Sequence, residues 1–186
     1  MKGAFIDRDG VIIEERGYAF RLEDFALLPG AVAALRDLQS AGYALVVVTN
    51  QSGIARGLYA EADYLSFSAH MEALLGEQGV RLDAVEYCPH LPDAPVARYR
   101  LDCNCRKPRP EMLQRAAGRL GIDLVRSVLV GDRRTDIQAG RAAGVSRCFL
   151  VRSGQSLAPQ DEALADGVFE NLAACVQALL GDSAHS

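Results

Sequence analysis

The sequence lacks a long hydrophobic run, and this absence excludes a helix that spans a membrane. None of its apolar stretches approaches the roughly 20 residues that a helix needs to cross a bilayer. Near the start of the chain, Asp7, Arg8 and Asp9 interrupt the apolar residues at once, so the core of a signal peptide is also missing. We therefore expect a cytoplasmic protein with no membrane partner.

The sequence also lacks an excess of basic residues. Its formal net charge is −4, whereas a general nucleic-acid binder presents a basic face. Hydrophobic residues make up 49% of the chain and charged residues 24%, which is ordinary for a soluble globular protein. With 186 residues the chain is long enough for one domain with a substantial core. We expect residues 1–181 to form that domain and residues 182–186 to be a tail.

Short apolar runs alternate with amphipathic segments along the chain. This alternation predicts an α/β fold of Rossmann-like type, a three-layer sandwich with a parallel sheet between two layers of helices. The predicted strands are 3–7, 44–49, 83–88, 127–131 and 147–151, and the predicted helices are 30–41, 61–78, 110–120, 134–143 and 170–180.

Polar side chains follow three of the predicted strands. Asp7 and Asp9 end the first, Thr49 ends the second, and Asp132 ends the fourth. Ligands bind at the carboxyl ends of strands in open α/β sheets, and paired carboxylates suit Mg²⁺. The alternative for an isolated Asp-x-Asp is a strand that runs into a polar turn.

The order of these motifs resembles that of the haloacid dehalogenase-like phosphotransferases. The motifs are Asp7-x-Asp9, Thr49, Lys107 and Asp132-x3-Asp136, and the resemblance covers residues 3 to about 150. If Asp7, Thr49 and Asp132 meet at one phosphate, the strand order is 5-4-1-2-3, which the family also implies. Only 39 residues separate Asp9 from Thr49 and 57 separate Thr49 from Lys107, so we expect an open cleft with no large cap domain.

Four metal-ligating side chains flank a loop of 12 residues that has few apolar residues with which to build its own core. The ligands are Cys88, His90, Cys103 and Cys105. Three thiolates and one imidazole suit tetrahedral Zn²⁺, and a closed set of four ligands is typical of a structural site. The alternatives are scattered free thiols or disulfides, although a cytosolic chain rarely forms disulfides. We therefore predict a loop, residues 88–105, that is stabilised by zinc.

The zinc motif narrows the resemblance. Together with Gly17-Tyr18, the segment 49–57 and Cys105-Arg-Lys-Pro, it resembles the D-glycero-D-manno-heptose 1,7-bisphosphate 7-phosphatases and the related histidinol-phosphate phosphatases. This group implies removal of the 7-phosphate through an aspartyl-phosphate, in the synthesis of ADP-heptose for lipopolysaccharide. Hydrolysis of histidinol phosphate stays open as an alternative, as does a non-catalytic binding module, and the preferred anomer is left open.

The resemblance also implies roles for individual residues. Asp7 is the expected nucleophile, and Asp9 is the expected acid and base. Mg²⁺ is expected on Asp7, the Asp9 carbonyl and Asp132, while Thr49 and Lys107 bind the transferred phosphoryl group. Asp136 is expected either to pair with Lys107 or to cap a helix.

The remaining expectations concern the substrate and the assembly. Arginines beside two of the motifs predict that the substrate is a phosphorylated sugar with a second phosphate. No surface stripe that would bind a partner chain is evident, so we expect a monomer. The predicted substrate-binding residues are Glu15, Arg16, Gly17, Tyr18, Thr49, Asn50, Gln51, Ser52, Arg106, Lys107 and Arg133.

Overall fold

The protein folds around a six-stranded parallel sheet. The structure, a computed structural model, describes residues 1–182, without the side chain of Asp182. The strands are β1 (Lys2–Ile6), β2 (Tyr43–Asn50), β3 (Ala84–Cys88), β4 (Val128–Gly131), β5 (Arg147–Val151) and β6 (Gly167–Phe169).

The order of the strands is β3-β2-β1-β4-β5-β6. The order predicted for the first five strands is therefore confirmed, and a sixth strand extends the sheet beyond β5. β6 was not predicted, because this strand has only three residues, all half-buried, and opens with a glycine that is typical of turns.

Helices cover both faces of the sheet, as the alternation predicts. Within residues 1–182, five helices have eight or more residues, and their bounds differ from the predicted ones by no more than two residues. The two that the sequence analysis missed, α2 and α6, have four residues each, too few for a helical period to be recognised. The helices are α1 (Ala31–Ser40), α2 (Ser52–Ala55), α3 (Glu61–Glu77), α4 (Glu111–Leu120), α5 (Arg134–Ala143), α6 (Pro159–Glu162) and α7 (Leu172–Asp182).

The central strand shows how the core is divided. Ala4 and Ile6 of β1 belong to a cluster with α1, α3 and α7, while Phe5 belongs to a second cluster with α4 and α5. Successive side chains of a strand point to opposite faces, so each face of β1 is buried under its own layer of helices. This burial fixes the strand register and brings the carboxyl ends of β2, β1 and β4 to one edge.

The connections at that edge are short. Helix α1 and a 3-10 turn at Leu22–Asp24 fill the segment between β1 and β2, while α2 and α3 fill the segment between β2 and β3. Within residues 1–182 no inserted cap domain covers the edge, as predicted. None of the helices in this part of the chain is both long and apolar enough to cross a membrane.

The loop between β3 and α4 is better anchored than the sequence predicts. Ala94 and Tyr99 are buried against Ile54 and Tyr64 in a third apolar cluster. The hydroxyl of Tyr99 also donates a hydrogen bond of 2.8 Å to Glu61 at the start of α3. The loop builds no core of its own, in line with its few apolar residues, and those residues pack on α2 and α3 instead.

The predicted division of the chain into one domain and a tail stays a prediction. Asp182 ends α7, and the remainder of the predicted tail, residues 183–186, lies outside the described residues.

Candidate active site

The carboxyl edge of the sheet opens into a cavity of about 430 Å³. It brings together Asp7 after β1, Thr49 in β2, and Lys107 from the loop before α4. The residues that line it are Asp7, Arg8, Asp9, Glu15, Gly17, Tyr18, Ala19, Thr49, Asn50, Gln51, Ser52, Tyr59, Arg106, Lys107, Arg133, Arg134, Thr135, Asp136 and Gln155.

Lys107 forms the cationic floor of this cavity. Its Nζ lies 3.1 Å from Asp7 Oδ1 and 2.6 Å from Asp136 Oδ1, and it donates a hydrogen bond of 2.7 Å to the Val48 carbonyl. Burial alone lowers the pKa of this ammonium, but the charges of Asp136 and Asp7 outweigh burial and raise its pKa above the usual value. Lys107 therefore stays protonated beside the Asp7 carboxylate.

Three carboxylates converge around this lysine. Oxygens of Asp7, Asp132 and Asp136 all lie within 4.8 Å of one another, and all three side chains are buried. Burial is the main cause that raises the pKa of Asp7 well above its ordinary value. Burial and the nearby charge of Asp136 raise the pKa of Asp132 to about 6. Such a concentration of negative charge is favourable only with compensating cations.

Asp132 has the features of a metal ligand. Its Oδ2 accepts a hydrogen bond of 2.9 Å from the backbone N–H of Gln155. Its Oδ1 is buried and accepts no hydrogen bond within the described part of the chain. Its one ion-pair partner within residues 1–182 is Arg133, whose Nε lies 3.8 Å from Oδ1. A hard divalent cation is bound by carboxylate oxygens, so this Oδ1 without a hydrogen bond and the nearby Asp7 fit the implied Mg²⁺.

Asp136 fulfils both of the roles that the sequence leaves open. One oxygen pairs with Lys107, and the other accepts a hydrogen bond of 3.0 Å from the backbone N–H of Arg133 at the start of α5. The first helical turn leaves such N–H groups without partners, so Asp136 caps α5 while it contacts the lysine.

Glycines allow the chain to approach Asp132 closely. A Cβ atom on Gly154 would lie 2.0 Å from Asp132 Oδ2, and one on Gly10 would lie 2.6 Å from the same oxygen. The segment 153–155 that follows β5, including the cavity residue Gln155, was not predicted to belong to the site. The signal available was a serine and a glycine that follow the predicted strand 147–151 after one intervening residue.

The mouth of the cavity combines arginines with one acid. Arg133 Nη2 lies 3.2 Å from Glu15 Oε2, and Arg106 Nη1 donates a hydrogen bond of 3.4 Å to the His90 carbonyl. Of the predicted substrate-binding residues, the structure brings all except Arg16 to the cavity wall. Arg16 instead pairs with Glu14 at 2.6 Å.

The four predicted zinc ligands form one cluster, with Sγ atoms of Cys88, Cys103 and Cys105 at 3.0–3.4 Å from one another. His90 Nδ1 lies 3.4 Å from the Cys105 sulfur. The cysteines are free, and these distances exceed the roughly 2.05 Å of a disulfide. The arrangement is compatible with a tetrahedral Zn²⁺, which has ligands of this type.

Lys107 is held from two directions. One is the thiolate cluster, the group formed by Cys88, His90, Cys103 and Cys105, because Cys105 lies two residues before Lys107 in the chain. On the other side, the Asn50 amide donates a hydrogen bond of 3.1 Å to the Lys107 carbonyl and accepts one of 3.0 Å from its N–H. These contacts fix the backbone from which the ammonium reaches Asp7, and preorganisation of this kind favours electrostatic catalysis.

Comparison with known proteins identifies the family of this chain. The model of the HAD-hydrolase-like family matches residues 104–175. The D-glycero-beta-D-manno-heptose-1,7-bisphosphate 7-phosphatase of Yersinia pestis is 44% identical over 169 residues, which are 91% of this chain and 90% of that enzyme. The enzyme of the same name from Escherichia coli K12 is 44% identical over 94% of this chain and 92% of its own length. This chain belongs to that family of HAD-like phosphatases.

Solved structures agree with this membership. The D,D-heptose 1,7-bisphosphate phosphatase of B. bronchiseptica, complexed with magnesium and phosphate, superposes with a TM-score of 0.82. It is 34% identical, over 98% of this chain and 99% of its own. The phosphatase of the same name from Burkholderia thailandensis has a TM-score of 0.68 at 31% identity, over 97% and 99% of the two chains.

Proposed function

We propose that this chain removes the 7-phosphate of D-glycero-β-D-manno-heptose 1,7-bisphosphate in a Mg²⁺-dependent reaction. The observation that carries the proposal is the position of Asp7, which lies beside Lys107 on the floor of a cavity with Arg106 and Arg133 at its mouth. The names of the curated relatives support the β anomer as the substrate.

In the first step the Asp7 carboxylate attacks the phosphorus of the 7-phosphate. The new bond joins a carboxylate oxygen to phosphorus, and the bond from phosphorus to the sugar oxygen breaks. Asp9 gives a proton to the departing sugar oxygen. Lys107 and Thr49 bind the phosphoryl oxygens, where negative charge has to be stabilised.

In the second step a water molecule attacks the aspartyl-phosphate on Asp7. Asp9, which is now unprotonated, accepts the proton of this water, and the bond between Asp7 and phosphorus breaks. Inorganic phosphate leaves, and both carboxyl groups return to their starting states.

Asp7, Asp132 and the Asp9 carbonyl are the groups that would hold Mg²⁺. The cation would screen the repulsion between the Asp7 carboxylate and the phosphate dianion. Magnesium in the B. bronchiseptica structure supports this assignment. Zn²⁺ on the Cys3His cluster would have a structural role, because its four ligands leave no open position.

The mouth of the cavity favours a bisphosphate over histidinol phosphate. Arg106 and Arg133 provide positive charge there, where the second phosphate of a heptose bisphosphate would lie. The acid in this region, Glu15, is occupied by Arg133 and by the N–H of Gly17 at 2.8 Å. Among the cavity residues at this mouth, no carboxylate is free to bind the amine of histidinol.

Steady-state kinetics with a panel of substrates test this proposal. The panel contains heptose 1,7-bisphosphate of both anomers, histidinol phosphate and fructose 1,6-bisphosphate, each with and without Mg²⁺. We expect the highest kcat/KM for the β-heptose bisphosphate and no turnover without the metal. Equal or better hydrolysis of histidinol phosphate would contradict the proposed substrate.

The proposed reaction belongs to the synthesis of ADP-heptose for lipopolysaccharide. A cytoplasmic location and a monomeric state are consistent with this role and stay predictions.

A further inference from the structure

Arg8, the residue between the two aspartates of the first motif, has no role in the reaction described above. Only 1% of its surface is exposed, and it is one of the largest fully buried side chains of the protein. Its guanidinium lies 5.4 Å from the ring centre of Tyr64 and 5.0 Å from that of Phe67. An arginine enclosed by two aromatic rings has few positions available to its planar head.

The guanidinium grips Asp9 with two hydrogen bonds. Arg8 Nε donates to Asp9 Oδ2 at 3.1 Å, and Arg8 Nη2 donates to Asp9 Oδ1 at 2.9 Å. Paired bonds of this kind fix the plane of a carboxylate as well as its distance. The orientation of Asp9 is therefore set from within the core.

A second set of contacts occupies the acceptor positions of one Asp9 oxygen. Besides the bond from Arg8, Oδ2 accepts a hydrogen bond of 3.0 Å from Gln51 Nε2, with Thr49 Oγ1 at 3.5 Å. Tyr59 holds this Gln51 side chain through a hydrogen bond of 2.7 Å to Oε1. Within the described residues, Oδ1 accepts a hydrogen bond from Arg8 Nη2 alone.

We infer that Arg8 is a positioning residue that presents Asp9 Oδ1 for proton transfer to the leaving oxygen. Oδ2 has its acceptor positions occupied, whereas Oδ1 keeps a free one, so the proton travels on Oδ1. Arg8 does not touch the substrate in this role and acts only through Asp9. The inference rests on the proposed phosphatase activity and deepens it.

Leaving-group dependence tests this inference directly. Phenyl phosphate releases a strongly basic phenolate that needs a proton, whereas para-nitrophenyl phosphate releases a weakly basic one that does not. The parameter kcat/KM covers the steps up to release of the alcohol, so later hydrolysis of the aspartyl-phosphate does not enter it. For Arg8→Met we expect kcat/KM to fall about 100-fold with phenyl phosphate and by less than about threefold with para-nitrophenyl phosphate.

Two further variants protect the test against a variant that fails to fold. Arg8→Lys keeps the charge but loses the paired bonds, and it should show a smaller change in the same direction. Tyr59→Phe keeps the ring that stacks on Phe20 and removes only the bond to Gln51, so it should fold and show the smallest change. If neither variant changes the ratio between the two substrates, the inference is wrong.

Glu86→Gln is the matched control for the loss of a buried ion pair. Glu86 is also buried and pairs with Arg115 at 2.5 Å, but it is not among the residues that line the cavity. This variant should lower the melting temperature and leave the ratio between the two substrates unchanged. Equal losses with both substrates in Arg8→Met would show that Arg8 serves only stability.

The test separates this inference from the proposed function. A wild-type enzyme that hydrolyses aryl phosphates but not heptose bisphosphate refutes the proposed substrate and still allows the role of Arg8 to be measured. A wild-type enzyme that hydrolyses neither refutes both.

Discussion

Two clusters of possible metal ligands are linked to Lys107, one through its ammonium group and one through the preceding chain, and the protein assembles them in different ways. The acidic cluster, Asp7, Asp132 and Asp136, takes its carboxylates from the ends of β1 and β4 and from the first turn of α5. The thiolate cluster takes Cys88 from the end of β3 and its other three ligands from the loop that follows. The sheet holds the residues of the acidic cluster in place, whereas the thiolate cluster itself has to hold a loop in place.

The two clusters also differ in what they leave open. Asp132 keeps a buried oxygen without a hydrogen bond, and Asp7 faces the cavity. The thiolate cluster contains four ligands whose binding atoms all lie within 4.8 Å of one another, and it is compatible with a closed tetrahedral site. A set of ligands with an open position suits a metal that also binds the substrate. A closed set of four ligands suits a metal that only stabilises the structure.

The largest effect is expected in the acidic cluster. Asp7→Asn should reduce kcat by at least about 10⁴-fold, because an amide is a far poorer nucleophile than a carboxylate. The fold should persist in the absence of metal, since the substitution removes a buried carboxylate whose pKa is already raised by burial. Single-turnover assays and thermal melting measure the two outcomes.

Asp37→Asn is the control for this substitution. Asp37 is exposed on α1, so its loss should change neither kcat nor the melting temperature. Turnover of the wild-type kind in Asp7→Asn would refute the covalent mechanism. Inhibition of the native enzyme by beryllofluoride, which mimics an acyl phosphate on aspartate, would support it.

The thiolate cluster should have a smaller effect on catalysis. Cys105→Ser should lower the zinc content from about one ion per chain and reduce kcat by about 10-fold to 100-fold. The expected cause is a displaced Lys107, because Cys105 lies only two residues before it. The sheet should survive, since α4 and the Tyr99 contacts hold the rest of the loop. Excess Mg²⁺ should not restore activity.

Cys175→Ser separates loss of zinc from loss of a buried thiol. Cys175 is buried in the core on α7 and is not part of the thiolate cluster. This variant should keep its zinc and its kcat even where its melting temperature falls. If Cys105→Ser kept full activity without zinc, the two clusters would be independent, and the coupling through Lys107 would be wrong.

Each cluster carries one arginine of the cavity mouth, since Arg106 follows Cys105 and Arg133 follows Asp132. Replacing either arginine by alanine should raise KM about 10-fold for a bisphosphate and far less for a monophosphate. Both should leave kcat nearly unchanged, because neither arginine is needed for attack on phosphorus.

Two other arginines complete this experiment. Arg98→Ala is the control, because Arg98 stacks on Tyr99 outside the cavity residues. Arg16→Ala decides the role predicted for Arg16 from the sequence; its pairing with Glu14 leads us to expect no change in KM. Equal effects of Arg106→Ala and Arg133→Ala on both types of substrate would show that neither arginine binds the second phosphate.

The sequence predicted the parts of the site that depend on strand ends. Asp7, Thr49 and Asp132 each follow a strongly apolar run, so the parallel sheet alone brings them together. Lys107 could also be predicted as a site residue, because it belongs to the recognisable motif Cys105-Arg-Lys-Pro.

The remaining contacts depend on packing that no local pattern encodes. An arginine between two aspartates reads as a solvated charge, yet Arg8 is buried between Tyr64 and Phe67, which follow it by more than 50 residues. Gln155 reaches Asp132 through a backbone N–H, which any residue except proline possesses. Neither side-chain type nor spacing signals such contacts before the tertiary structure is known.

The last expected effect concerns acidification, which should weaken Mg²⁺ binding. In the metal-free protein, burial and Asp136 raise the pKa of Asp132 to about 6, so below that pH a proton occupies the carboxyl group that the cation needs. Affinity should be constant above about pH 7 and fall by about tenfold per pH unit below about pH 6, for one displaced proton. Calorimetric titration with Mg²⁺ in several buffers would measure the affinity and the proton release together. A constant affinity across this range would show that Asp132 is already ionised without metal, and that the acidic cluster needs less compensation than its burial indicates.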